Sequence, residues 1–167
     1  MPHQQDESFI ELINTHLRIA HKICRVYTTS SDEHKDLQQE MMYQLWKSYT
    51  DFDGRSKFST WMYRVCLNTA LTYRRKDKTD RYESLSDYHF EIAEHTEQKM
   101  EEQMKVLFLA IGTLSPLNKA IVLLYLDDLS YEEIAGITGL TKSNVSVRLV
   151  RIKKELEMFI KSKTREI

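Results

Sequence analysis

Asn144, Arg148, Arg151 and Lys154 recur at intervals of three and four residues, with Ser143 beside them. At that spacing their amide, guanidinium and ammonium groups share one face of a helix. Arg and Asn form paired hydrogen bonds with base edges, while Lys and Ser hold phosphates, so the chemistry on offer is readout of a DNA major groove. A second set mixes aromatic rings with positive charge: Trp61, Tyr63, Arg64, Asn68, Tyr73, Arg74 and Arg75. Rings stack on bases taken out of a duplex while basic groups follow the phosphates. Trp61 and Tyr73 suit a core equally well, which would leave only the basic end exposed. A third set, Asp36, Glu40, Tyr43 and Lys47 with Gln39 alongside, forms a polar helix face that is either solvated or binds a protein.

The elements that must carry these sets follow from local signals. Ser130 and Glu133 make a capping box, which predicts a helix from Tyr131. Ile134, Ala135 and Thr138 line its inner side, and the small Ala135 suits a close helix approach. Gly139 supplies the turn, and Thr141 caps the next helix. In that helix Val145, Leu149, Ile152, Leu156 and Phe159 alternate at spacings of four and three, one apolar stripe set apart from the polar face. A capped helix, a glycine turn and a two-faced second helix together read as a helix-turn-helix.

Upstream, Phe9, Ile13, Leu17, Ala20, Cys24 and Tyr27 predict a first amphipathic helix. Thr28-Thr-Ser-Ser31 breaks it, and Ser31 is the expected cap of a second helix that runs to about Tyr49 and buries Leu37, Met41 and Leu45. Asp51 to Lys57 is a loop freed by Gly54, with Ser56 or Ser59 as the expected cap of a third helix from about Phe58 to Lys76. Residues 77–100 read as a polar, acidic linker in which Leu85, Tyr88, Phe90 and Ile92 lack sustained periodicity. A helix resumes near Glu97 and carries Val106, Leu107, Ala110 and Ile111. Ser115-Pro116 then opens another, with a buried run from Ile121 to Leu126. The fold class expected is all-α, in two small helical domains.

The formal net charge of -1 argues against a nucleic-acid binder until its distribution is seen. Residues 55–82 carry eight Lys or Arg against Asp77 and Asp80, and residues 141–165 carry eight against Glu155 and Glu157. Residues 83–102 carry seven acidic residues against Lys99. Two basic blocks flanking an acidic one imply two separate DNA contacts and a segment that avoids DNA. No run of 18 apolar residues and no signal-peptide layout is present, so a cytoplasmic protein without membrane insertion is expected. The two cysteines, Cys24 and Cys66, read as buried thiols. Neither the six histidines nor any glycine-rich loop has the spacing of a metal, phosphate or catalytic site. No enzyme activity, metal or cofactor is therefore expected.

On these residues the chain resembles the group IV, extracytoplasmic-function sigma factors of bacterial RNA polymerase. Asp36-Leu-Gln-Gln-Glu40 is similar to that family's region 2.2, and Lys57-Phe-Ser-Thr-Trp-Met-Tyr-Arg64 with Asn68 to its regions 2.3 and 2.4. Leu114-Ser-Pro through Leu156, including Leu129-Ser-Tyr-Glu-Glu-Ile-Ala135, is similar to region 4. The likeness departs at Leu67, where the family often has a basic residue, at Thr72, often acidic, and at Ser146, often Lys or Arg. The resemblance implies a region 2-like domain over residues 1–80, a linker over 81–100 and a region 4-like domain over 101–167.

The resemblance also implies roles. The polymerase core is met by Asp36, Gln39, Glu40, Tyr43 and Lys47 on the β′ clamp helices, and by the C-terminal domain on the β-flap. The -10 element is met by Phe52, Arg55, Lys57, Trp61, Arg64, Asn68, Arg74 and Arg75. The -35 element is met by Lys142, Ser143, Asn144, Ser146, Arg148 and Arg151. Promoter DNA and an anti-sigma factor complete the implied partners. A homodimeric helix-turn-helix regulator is the alternative; it accounts for the C-terminal half but not for the aromatic-basic helix or the Asp36 to Glu40 face.

Overall fold

The computed structural model describes residues 2–76 and 98–165, with the side chains of residues 2–6 and 98–100 left out. Among the described residues the secondary structure is helical: α1 (Pro2–Tyr27), α2 (Ser31–Ser48), a single 3-10 turn (Tyr49–Asp51), α3 (Phe58–Lys76), α4 (Gln98–Gly112), α5 (Pro116–Leu126), α6 (Tyr131–Thr138) and α7 (Lys142–Arg165). The chain divides into two compact units, Met1–Asp80 and Arg81–Ile167. Most of the segment expected to be a linker, with Leu85, Tyr88, Phe90 and Ile92, lies outside the described residues.

In the first unit α1, α2 and α3 pack pairwise on one another. The α1 stripe is buried at Phe9, Ile13, Ala20, Cys24 and Tyr27, as its spacing requires, and Leu17 is half-buried. Ile19, Ile23 and Val26 are buried as well, so α1 is enclosed more widely than the expected stripe. Facing it are Leu37, Met41 and Leu45 of α2, all fully buried, and Met62, Cys66, Leu67 and Ala70 of α3. Each buried Leu or Met among them contributes about 1.5–3 kcal/mol. The cap of α2 is one residue earlier than expected. Ser30, not Ser31, accepts from the Glu33 backbone N–H at 3.2 Å. The reason is the return bond: the Glu33 carboxylate accepts from the Thr29 N–H at 2.8 Å and hydroxyl at 3.0 Å, which fixes Ser30 in the capping position.

The second unit is centred on α5, where Ala120 to Leu124 are all buried between α6 and α7. Leu126 departs from the expected buried run, being 46% exposed at the helix end. Ser115 accepts from the Asn118 N–H at 3.3 Å, with Pro116 in the first turn. The capping box of α6 closes in both directions: the Glu133 N–H donates to Ser130 Oγ at 3.2 Å and the Ser130 N–H to Glu133 Oε2 at 2.8 Å. Gly139 ends α6 at φ 75°, where a side chain would be strained, and its N–H donates to the Ala135 carbonyl at 2.9 Å. Thr141 Oγ1 accepts from the Asn144 N–H at 3.2 Å and opens α7. Val145, Leu149 and Ile152 are buried, while Leu156 and Phe159 are half-buried as α7 runs past its neighbours.

Candidate nucleic-acid interfaces

Three surfaces can be built from these elements. The first lies on α7. Because its buried stripe faces α4, α5 and α6, the opposite side is turned outward, and Lys142, Ser143, Asn144 and Arg151 are exposed there, with Ser146 half-buried. Lys142 forms an exposed ion pair with Glu132 of α6 at 3.4 Å. Arg148 differs from the others: it is half-buried, and its guanidinium donates to Asn118 Oδ1 of α5 at 3.0 Å. Lys153 is tied to the same helix, donating to the Tyr125 hydroxyl at 3.1 Å. The structure thus gathers all six expected residues along the first half of one helix. It also adds Asn118, which no sequence pattern pairs with a residue thirty positions away.

The second surface lies on α3 and the loop before it. Phe52 sits in a cluster of rings, 5.3 Å from Trp61, 5.7 Å from Phe58 and 6.4 Å from Tyr49 between centroids. Phe9 and Trp46 extend the cluster through Tyr49. These rings fix both ends of the segment 52–57 onto the helical unit. The tip between them is polar and exposed: Asp53 accepts from the Arg55 N–H at 3.0 Å and pairs with its guanidinium at 3.0 Å, and Gly54 takes φ 74°. Arg55 and Lys57 are exposed at this tip.

Along α3, Arg64, Asn68 and Arg75 are exposed and Arg74 is half-buried. Trp61, in contrast, is only 9% exposed and is enclosed by Phe52, Phe58 and Tyr49. Its ring is not available to a base in this conformation, so of its two readings the core one fits.

The third surface is the outer side of α2. Asp36, Gln39, Glu40, Tyr43 and Lys47 are all exposed, Tyr43 by 57%, and Glu40 is held on the helix by the Gln44 amide at 3.0 Å. Between this side and α3 runs an open groove of about 800 Å³. Asp36, Glu40 and Tyr43 line one wall; Asn68, Thr72 and Lys76 line the other. Two sets that read separately in the sequence therefore meet: Asn68 shares a groove with Asp36 and Glu40. The spacing within each helix gave each wall, but only the α2–α3 packing brings the walls together.

Both thiols are buried, as expected, with Cys24 in contact with the Met41 sulfur at 3.7 Å. Burial pushes the Cys24 thiol up to about 12, and burial with Cys24 nearby pushes Cys66 up as well. Among the described residues there is no group of three or more His, Cys, Asp or Glu placed to hold a metal, and no helix long and apolar enough to cross a membrane.

Comparison with known proteins adds to this geometry. The family model described as Sigma-70 region 2 matches residues 12–79, and that described as Sigma-70, region 4 matches residues 105–156. The chain is 32% identical over 158 residues to the ECF RNA polymerase sigma-E factor of Escherichia coli (strain K12), covering 84% of this chain and 82% of that one. It is 31% identical over 155 residues to the protein of the same description from Haemophilus influenzae, with the same coverages. Among solved structures it is similar to the sigma factor RpoE in complex with the anti-sigma factor NepR from Bartonella quintana. There the TM-score is 0.74 at 21% identity, covering 93% of this chain and 98% of that one. CnrH, solved in complex with the cytosolic domain of CnrY, gives a TM-score of 0.67 at 19% identity, covering 94% and 90%. At those identities the structural likeness is one of fold.

Proposed function

The chain belongs to the extracytoplasmic-function sigma factors of the sigma-70 family, and from that premise we propose how its surfaces divide the work of starting transcription at chosen promoters. The outward side of α7 reads the -35 element in the major groove: Asn144, Arg148 and Arg151 face base edges, and Lys142, Ser143 and Ser146 face the backbone. The tip with Arg55 and Lys57, together with Arg64, Asn68, Arg74 and Arg75, engages the -10 element. Phe52 and Trp61 act there by fixing the tip in place. Asp36, Gln39, Glu40, Tyr43 and Lys47 dock on the β′ clamp helices of the polymerase core, and the second unit docks on the β-flap. An anti-sigma partner is part of this proposal, since the sigma factor RpoE described above was solved in complex with one.

The observation that carries this reading is the presence of two basic surfaces in two separate compact units, with the polar, partly acidic outer face of α2 on the first of them. With a net charge of -1, neither surface draws the free protein strongly to DNA. Docking both units on one polymerase turns two modest contacts into one effective one, because the second binds at a high local concentration. Opening of the duplex then draws on capture of unstacked bases near residues 52–57, a binding process that needs no bond chemistry from this chain.

The test is co-elution with sigma-free core polymerase, followed by footprinting of the reconstituted holoenzyme. The expected result is a stable complex that protects two unlike elements. A protein that dimerises and protects a symmetric site without polymerase would instead support the homodimeric regulator.

A further inference from the structure

Val147 and Val150 of α7 are 51% and 54% exposed, in a helix that buries Val145, Leu149 and Ile152. Val147 stands two residues from Val145, and Val150 two from Ile152, which is about 160° around the helix axis in each case. The two valines, three residues apart, therefore form a small apolar patch on the side turned from the core. Exposed Ser143, Asn144, Arg151 and Lys154 surround it, each three or four residues from one valine. We propose that Val147 and Val150 read thymine, their methyl groups packing on the 5-methyl groups of thymines in the -35 element. This recognition rests on α7 lying in the -35 major groove, and it adds to the polar contacts there a preference for one base.

Neither burial nor helix propensity accounts for these residues. At an exposed helix position valine gains little from burial, and its branched side chain favours a helix less than Ala, Lys or Glu does. The same branching holds the side chain in one rotamer, so the methyl groups keep fixed positions before DNA arrives. Charge makes the occupant duplex DNA. From Thr141 to Lys154 the chain carries Lys142, Arg148, Arg151, Lys153 and Lys154 and no Asp or Glu, a balance that complements the phosphates lining a groove. A major groove admits a helix, and thymine is the base that offers a methyl group there to an apolar side chain. Side chains three apart on a helix have Cβ atoms about 5–6 Å apart, which matches base pairs one or two steps apart at about 3.4 Å per step.

The test uses holoenzyme reconstituted from the full-length chain and sigma-free core polymerase, on promoter duplexes that it selects from a pool randomised upstream. Each thymine in the protected -35 element is then replaced singly by uracil, which removes only the methyl group. Wild type is expected to lose about three- to fourfold in affinity at one or two positions, the effect of one buried methyl group. Val147→Ala and Val150→Ala should each abolish the uracil effect at one position. Both variants should melt like wild type and co-elute fully with core polymerase, since both side chains are exposed. A selected element without thymine, or a uracil effect that is absent in wild type or persists in both variants, would overturn the proposal while leaving α7 as the -35 reader. Loss of core-polymerase co-elution in the variants would mean that the patch seats a protein and would overturn it too. If no upstream element is protected, the -35 reading itself fails and this proposal with it.

Discussion

Arg148 of α7 and Asn118 of α5 are joined by a 3.0 Å hydrogen bond from guanidinium to amide oxygen. Arg148 is therefore held in place before any DNA arrives, by a residue of a different helix. An arginine fixed in this way loses less side-chain freedom on binding than a free one. Asn118→Ala should weaken -35 binding by the holoenzyme without loss of core-polymerase affinity. Arg148→Ala should cost more, about 1–3 kcal/mol, and relax base preference at one position. Competition binding with promoter variants measures both; equal discrimination in wild type and Arg148→Ala would refute the assigned contact.

Asp36→Arg combined with Glu40→Arg reverses the charge of one wall of the α2–α3 groove. Core-polymerase co-elution should be lost while the thermal melt stays within about 0.5 kcal/mol of wild type, as both side chains are exposed. A matching loss of stability would mean that the face serves the fold instead.

Trp61 and Arg64 sit one turn apart on α3 and should fail differently. Trp61→Ala removes the centre of the ring cluster and should destabilise the first unit by about 3–5 kcal/mol. Arg64→Ala should leave the melt unchanged and slow promoter opening, followed by permanganate reactivity of unpaired thymines.

At the turn between α6 and α7, Gly139→Ala places a side chain at φ 75° and should cost the second unit about 1 kcal/mol. Ser130→Ala opens the capping box and should cost a similar amount, about 1 kcal/mol. Chemical denaturation of both variants checks this, with the slope against denaturant expected to stay constant.

Titration sets the pH limits of the first unit. The Cys24 and Cys66 thiols are pushed up in the folded chain, so above pH 9.0, the ordinary thiol value, the unfolded chain ionises first and stability falls as pH rises. His34 is held down by burial and then by His21. Below about pH 6.5 the unfolded chain therefore takes up protons first, and stability falls as pH drops. Melts across this range should show a plateau between, and Cys24→Ala with Cys66→Ala should flatten the alkaline side. Neither thiol should react with a disulfide reagent until the chain unfolds.

Much of this was legible because it is local. Caps, the glycine turn and the stripes of α1 and α7 depend on residues at most a few positions apart, and helix geometry fixes which of them share a face. The choice of Ser30 over Ser31 was not legible, because two adjacent serines offer the same hydroxyl. It is decided by Glu33 reaching back to Thr29. Burial of Ile23 and Ile137 lay outside the expected stripes, because neighbouring helices enclose α1 and α6 beyond them. The Arg148–Asn118 bond, the shared groove at Asn68 and the enclosure of Trp61 arise only when separate helices pack, and composition carries no trace of them.

On α7, Val145, Leu149 and Ile152 anchor the helix in the unit while Asn144 and Arg151 are exposed and Arg148 is half-buried against Asn118. Successive residues are rotated by about 100°, so inserting one residue anywhere between Thr141 and Arg151 would turn part of the proposed reading face toward the core. Substitution is different, since exchanging one outward side chain leaves the anchor untouched. Promoter preference in this chain is therefore free to drift by point mutation but closed to change in length, so its descendants should diverge in address while keeping the same helix frame.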